Sequence, residues 1–171
     1  MGTGQTMITL FAMVLLSFLI LRVNRLFLQT NTTLYTTKFD VLACSLAQAM
    51  IQEIEANAFD QNTVSAVVSS TASLSTTLGP ESGETYATYN DIDDFNNYTR
   101  TVSNLPSAVF YIKCKVDYVT STAPDIATST PTWNKRITVY VTSPSMMISS
   151  TDVTKADTVK ISQVFSYWTF K

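Results

Sequence analysis

The chain has 171 residues, a formal net charge of −2 and no histidine, so the commonest general base and metal ligand is missing. Its 11 Lys and Arg residues are scattered rather than clustered, which argues against a nucleic-acid footprint. Charged residues make up 14% of the chain, against roughly 25% in an average soluble domain; a surface rich in Thr and Ser and poor in charge fits an extracellular setting.

The first segment with a clear physical signature is Met7 to Leu21, which carries no charge and only two polar side chains, Thr9 and Ser17. Nothing basic precedes it and no Ala-x-Ala-like site follows, so it reads as a retained helix rather than a secretory signal. At 1.5 Å per residue it spans about 22 Å, short of the roughly 30 Å of membrane hydrocarbon. Continuing through Val23 to Leu28 extends the reach to about 33 Å, with Arg22 and Arg25 snorkelling at the edge. The positive-inside tendency would place those arginines in the cytoplasm.

From Thr32 onward apolar residues recur at three- and four-residue spacing: Tyr35, Phe39, Leu42, Leu46, Met50, Ile54 and Ala58. Polar residues fill the remaining positions, so one face is built to pack on a sheet. No Gly or Pro occurs between Thr6 and Gly79, and the pattern predicts one helix from about Gly4 to Asn57, near 80 Å long. The run Gln29 to Thr33 (QTNTT) is its expected weak point, because Thr and Asn are poor helix formers. A globular part of about 115 residues is too small to bury such a rod. The predicted organisation is therefore a helix over residues 1–58, hydrophobic over 1–28 and amphipathic over 29–58, followed by a β-rich head over 59–171.

Residues 60–79 are small and polar and read as a loop, closed by the turn Gly79-Pro80-Glu81-Ser82-Gly83. Three strands follow. Ala108 to Val119 alternates Phe110, Ile112, Cys114, Val116 and Tyr118 against Tyr111, Lys113, Lys115 and Asp117. Arg136 to Thr142 alternates Ile137, Val139 and Val141, and Thr158 to Phe170 alternates Val159, Ile161, Gln163, Phe165 and Tyr167. The pattern predicts an antiparallel sheet covered on its apolar face by the helix, an α+β fold. Cys44 and Cys114 match no zinc or redox spacing. Two readings stay open for them, buried small hydrophobes or a disulfide tying helix to sheet.

No Ser-His-Asp set, Gly-rich phosphate loop or metal-ligand spacing is present, so no enzyme activity is expected. Asp91, Asp93 and Asp94, flanked by Asn90, Asn96 and Asn97, offer oxygens that could ligate calcium, but the Gly and distal Glu of an EF-hand loop are missing. The plainer reading is a solvated turn held by Asx caps. No other cofactor is expected.

The plan of an uncharged N-terminal helix, an amphipathic continuation and a C-terminal antiparallel sheet resembles the type IV pilin and pseudopilin family. The local matches are the N-terminal block MGTGQTMITLFAMVLLSFLIL and the segment DIDDFNNY at Asp91 to Tyr98, which is similar to the Asp-rich loop of some minor and mannose-sensitive-type pilins. The resemblance implies that Met1 is the first residue after cleavage by a prepilin peptidase. It implies that the helix anchors the subunit in the inner membrane until the pilus assembly machinery extrudes it into an extracellular helical filament of identical subunits. Met7, Ile8, Leu10, Phe11, Val14, Leu15, Phe18, Leu19 and Leu21 would pack the filament core, and Met1 and Gln5 would take part in N-terminal assembly. The family usually carries Glu at the fifth mature position, where it pairs with the terminal amine of a neighbour; Gln5 keeps an acceptor but no charge. The helix-breaking Pro often found near the family's twenty-second position is also missing. The alternatives are a single-pass membrane-anchored surface or adhesion domain, or a minor pseudopilin of a secretion system.

Overall fold

The structure, a computed structural model, describes residues 2–106, 108–147 and 156–170. Helix α1 runs Thr3–Glu55 and a short α2 runs Gln61–Val64. Strands β1 (Thr99–Val102), β2 (Phe110–Val119), β3 (Ala127–Thr128), β4 (Asn134–Met147) and β5 (Ala156–Ser166) follow. They form one antiparallel sheet in the order β1-β2-β4-β5, with β3 also pairing β2. This is the α+β arrangement expected from the residue pattern: a long N-terminal helix whose part from Phe39 onward packs on an antiparallel sheet.

The chain divides into two compact units, Met1–Lys38 and Phe39–Lys171. The division falls inside α1 rather than at the helix end near residue 58, because Phe39 is the first side chain of α1 that is buried. Within the first unit almost every described residue is exposed. The helix runs unbroken through Gln29 to Thr33, where loosening was expected. Along this run Thr30, Thr32 and Thr33 each donate to the carbonyl four residues back, at 2.9 to 3.0 Å. Thr36 and Thr37 do the same.

In the second unit α1 buries Phe39, Ala43, Ala47, Met50, Ile51 and Ile54. The buried face is therefore rotated from the expected stripe. Leu42 and Leu46 are only partly buried at its margin, and Tyr35 is exposed in the first unit. Ala43 and Ala47 have no exposed surface, and Leu42 and Leu46 pack against the same core from its margin. Facing them are Phe110, Ile112, Cys114, Val116 and Tyr118 of β2 and Ile137, Val139 and Val141 of β4. The opposite face of β2 presents Tyr111, Lys113 and Lys115 to solvent, so the period-two alternation decides which side of the sheet is wet.

Three strand expectations need correction. The sheet gains β1 and β3, whose sequences are too short and polar to alternate visibly. Strand β4 begins two residues before Arg136 and continues through Pro144, with a register shift between Thr142 and Met147; a bulge is where a strand tolerates a proline. Strand β5 stops at Ser166 and a 3₁₀ turn, Tyr167–Phe170, follows. The Tyr167 amide then donates to the Trp133 carbonyl at 2.9 Å, and its hydroxyl accepts from the Val68 amide at 3.1 Å.

The disulfide is also overturned. Cys44 and Cys114 are both free, the first exposed and the second buried. Cys44 follows Ala43 on α1 and so turns away from the face that packs on the sheet. Burial pushes the Cys114 thiol up to about 12, so it stays a neutral, inert hydrophobe. Enlarging a fully buried side chain of α1 by Ala47→Leu should lower stability by about 1–3 kcal/mol, whereas Cys44→Ser on the exposed face should change it by less than about 0.5 kcal/mol. Urea unfolding midpoints of the two variants check the pair.

Candidate functional site

Two features carry functional information, one in each unit. The first is the apolar part of α1. Met7, Ile8, Leu10, Phe11, Val14, Leu15, Phe18, Leu19 and Leu21 are each between 53% and 73% exposed. Met13, Leu16 and Ile20 between them are equally bare, so the apolar surface encircles the helix with no polar side. This is one helix long and apolar enough to cross a membrane, with none of the apolar window buried, and it is compatible with membrane anchoring. Arg22 and Arg25 lie past its charge-free core. Gln5 is exposed, and its amide opens the hydrogen-bonded backbone by donating to Gly2 at 2.9 Å. Met1 lies outside the described residues.

The second feature is a buried polar cluster in the head. The chain leaves α1 and forms a parallel bridge between Ala58 and Asp91, with Ala58 donating to Asn90 at 3.0 Å and Ile92 donating to Ala58 at 2.9 Å. That bridge sets Asp60 beside the turn Asp91–Asp94. Asp60 caps α2 in a capping box with Thr63. Its carboxylate also accepts from the Ser75 amide, the Ser75 hydroxyl and the Tyr118 hydroxyl, all at 3.1 Å. Lys135 enters from β4 in phase with Ile137 and Val139, so its side chain lies on the inner face of the sheet. Its ammonium reaches the Phe59 carbonyl at 2.7 Å, Asp60 Oδ1 at 2.9 Å and Asp93 Oδ1 at 2.5 Å. Lys135, Asp60 and Asp93 have no exposed surface, and the rings of Phe59 and Tyr118 lie 4.7 and 5.2 Å from the ammonium.

Electrostatics separates the carboxyl groups. Burial alone would raise Asp60, but the Lys135 ammonium and the surrounding donors outweigh it and hold Asp60 below its usual value. Burial dominates at Asp93, which is raised despite the same lysine. At Asp91, burial and then the neighbouring Asp93 charge push the carboxyl up to about 9. Asp94 is raised chiefly by burial, against amide donors from Asn90 and Asp91.

The three aspartates proposed for calcium do not converge on one centre. Asp91 Oδ1 accepts the amides of Asp93 and Asp94 at 2.9 and 3.1 Å, and Asp93 pairs with Lys135. Asp94 Oδ2 accepts the amides of Asn90 and Asp91 at 2.9 and 3.2 Å. The Asx caps of the plainer reading are present, but the turn is buried rather than solvated. Among the described residues the carboxylates that could hold a metal ion are Glu81, Glu84 and Asp94, with ligand atoms within 4.8 Å of one another. Burial and a hydrogen bond to Glu84 push Glu81 up to about 7.

Asn96 and Asn97 complete the motif by pinning it to β2. Asn96 donates to the Leu78 carbonyl at 2.9 Å and accepts from the Val116 amide at 3.1 Å, while Asn97 takes a left-handed φ of 64° and donates to Cys114 at 3.1 Å. Sequence reasoning missed Lys135, Asp60, Glu81 and Glu84. A signal for Lys135 existed, since stepping back by two from Val139 and Ile137 lands on it. No comparable signal marks Asp60, whose partners come from β2, β4 and the distant Ser75 loop. Comparison with known protein families, curated proteins and solved structures finds no match for this chain.

Asp91 gives a pH dependence of defined sign. Between the ordinary carboxylate range and about 9 it is protonated when folded and ionised when unfolded. The folded state then binds more protons, so this contribution to stability falls as pH rises through that window. Asp91→Asn keeps the Oδ1 acceptor and removes the titration, and it should flatten the decline in urea midpoint between about pH 4 and about pH 9.

Proposed function

We propose that this chain is the structural subunit of an extracellular filament of the type IV pilus kind, held in the inner membrane by α1 before assembly. The observation that carries the reading is the apolar girdle of α1, which finds no cover among the described residues. Such a surface must be sheathed by lipid, by copies of itself, or by each in turn. Removing it from water is worth about 25 cal/mol per Å². In lipid that gain is already made, so passage into a filament draws on close packing between helices. Head-to-tail contacts that do not close on themselves produce a fibre of identical subunits.

The Ser- and Thr-rich character of the chain and the lysines on the outer face of β2 suit heads turned to solvent around a helical core. A prepilin peptidase and the pilus assembly machinery are the partners this reading implies, with no nucleic acid required. Leu15→Arg places a charge in the girdle while leaving residues 39–171 untouched. It should abolish filaments in the fraction sheared from cells, read by negative-stain microscopy. Filaments at normal yield would remove Leu15 from the core. A wild-type protein found only as a detergent-soluble monomer would favour a membrane-anchored surface domain instead.

A further inference from the structure

We propose that Lys135 and Asp93 condense into an intramolecular amide bond that ties the Asp91–Asp94 turn to strand β4. The geometry has the parts such a reaction needs. Lys135 Nζ lies 2.5 Å from Asp93 Oδ1, and the acyl carbon is one bond further on. Amine and acid are thus fixed as neighbours, and proximity of this kind replaces an encounter in solution. Both side chains are completely buried, and the rings of Phe59 and Tyr118 line the ammonium. Water is excluded from a pair of opposite charges whose burial is costly.

The two carboxylates around Lys135 have different surroundings, and this selects the acyl partner. Asp60 is fully used, with both oxygens receiving amide or hydroxyl donors in addition to the lysine. Asp93 Oδ2 is buried with no hydrogen-bond partner among the described residues. Asp60 is therefore placed to act as the base and Asp93 as the electrophile. Asp60 Oδ1, 2.9 Å from Nζ, takes one ammonium proton and frees the nitrogen lone pair. The Nζ–Cγ bond forms at Asp93, and one Cγ–O bond then breaks. The departing oxygen leaves as water with two of the three original ammonium protons, one of them returned by Asp60. The third stays on the amide nitrogen. One positive and one negative charge disappear together, and no oxidant, reductant or co-reactant is consumed.

The product replaces a buried ion pair by a neutral amide, which costs less to keep from water. It also closes a loop across 42 positions of sequence, and such a cross-link restricts the unfolded chain. The inference does not depend on the filament reading, although a subunit loaded along a fibre would gain from a covalent clamp in its head.

The test is peptide mapping of the full-length protein as isolated from its cells. The expected result is a branched tryptic peptide joining the Asp93 stretch to the Lys135 stretch, lighter by one water than the two separate peptides. Lys135→Arg keeps the charge but cannot form the bond, so it should restore the unbranched peptides, with circular dichroism reporting whether the head still folds. Fragmentation of the wild-type map decides the matter even if that variant unfolds. Finding unmodified Lys135 and Asp93 peptides overturns the proposal, and a link from Lys135 to Asp60 overturns the choice of Asp93.

Discussion

Apolar surface has to be taken out of water, and α1 meets that demand in two ways. From Phe39 onward the helix closes on the sheet through Ala43, Ala47, Met50, Ile51 and Ile54, and the head has its core. Before Phe39 the demand goes unmet among the described residues, since the apolar window near the N-terminus has no buried residue. The proposed membrane and filament roles both follow from that unmet demand. The two halves of one helix are therefore distinguished by where their cover comes from rather than by backbone conformation. Through the polar stretch in between, the helix stays unbroken, with the Thr30, Thr32, Thr33, Thr36 and Thr37 hydroxyls bonded back to carbonyls of the same helix.

The head combines a conventional apolar core with an unusually polar one beside it. Lys135, Asp60, Asp91, Asp93 and Asp94 are all buried. Each carboxylate has at least one oxygen that caps a backbone amide or faces the lysine, while Asp91 Oδ2, Asp93 Oδ2 and Asp94 Oδ1 are buried with no hydrogen-bond partner among the described residues. The cluster joins parts of the chain that regular secondary structure leaves apart: the exit from α1, the Ser75 loop, the Asp91–Asp94 turn, and strands β2 and β4. It therefore fixes a long irregular segment that apolar contacts alone, chiefly Phe59, Val68, Leu74, Ile92 and Phe95, would hold less specifically.

Much of the fold was legible in the residues. The alternation of β2 matches its buried and exposed faces from Phe110 to Val116, because side chains on a strand have a strict period of two, while Val119 at its end is buried out of phase. The helical stripe was right in kind but rotated, with Ala43, Ala47 and Ile51 buried while Leu42 and Leu46 lie at the margin. Short β1 and β3 carried too few residues to show a period. The Asp91–Asp94 turn is legible as a distinct feature, read as a weak calcium site or, more plainly, as a solvated turn with Asx caps; the structure has the caps but buries the turn, with Asp93 on a lysine and Asp91 on backbone amides.

What the amino-acid order determined by itself was local: a charge-free helical run, an amphipathic continuation, alternating strands and an Asx-rich turn. Each depends on neighbours within a few positions, and the backbone repeat makes them readable. The tertiary structure alone decided which distant groups meet, namely Lys135 with Asp60 and Asp93, Glu81 and Glu84 with Asp94, and Cys44 apart from Cys114. Those meetings are set by how the helix, loop and sheet pack, and no local spacing encodes a contact between residues 42 or 75 positions apart.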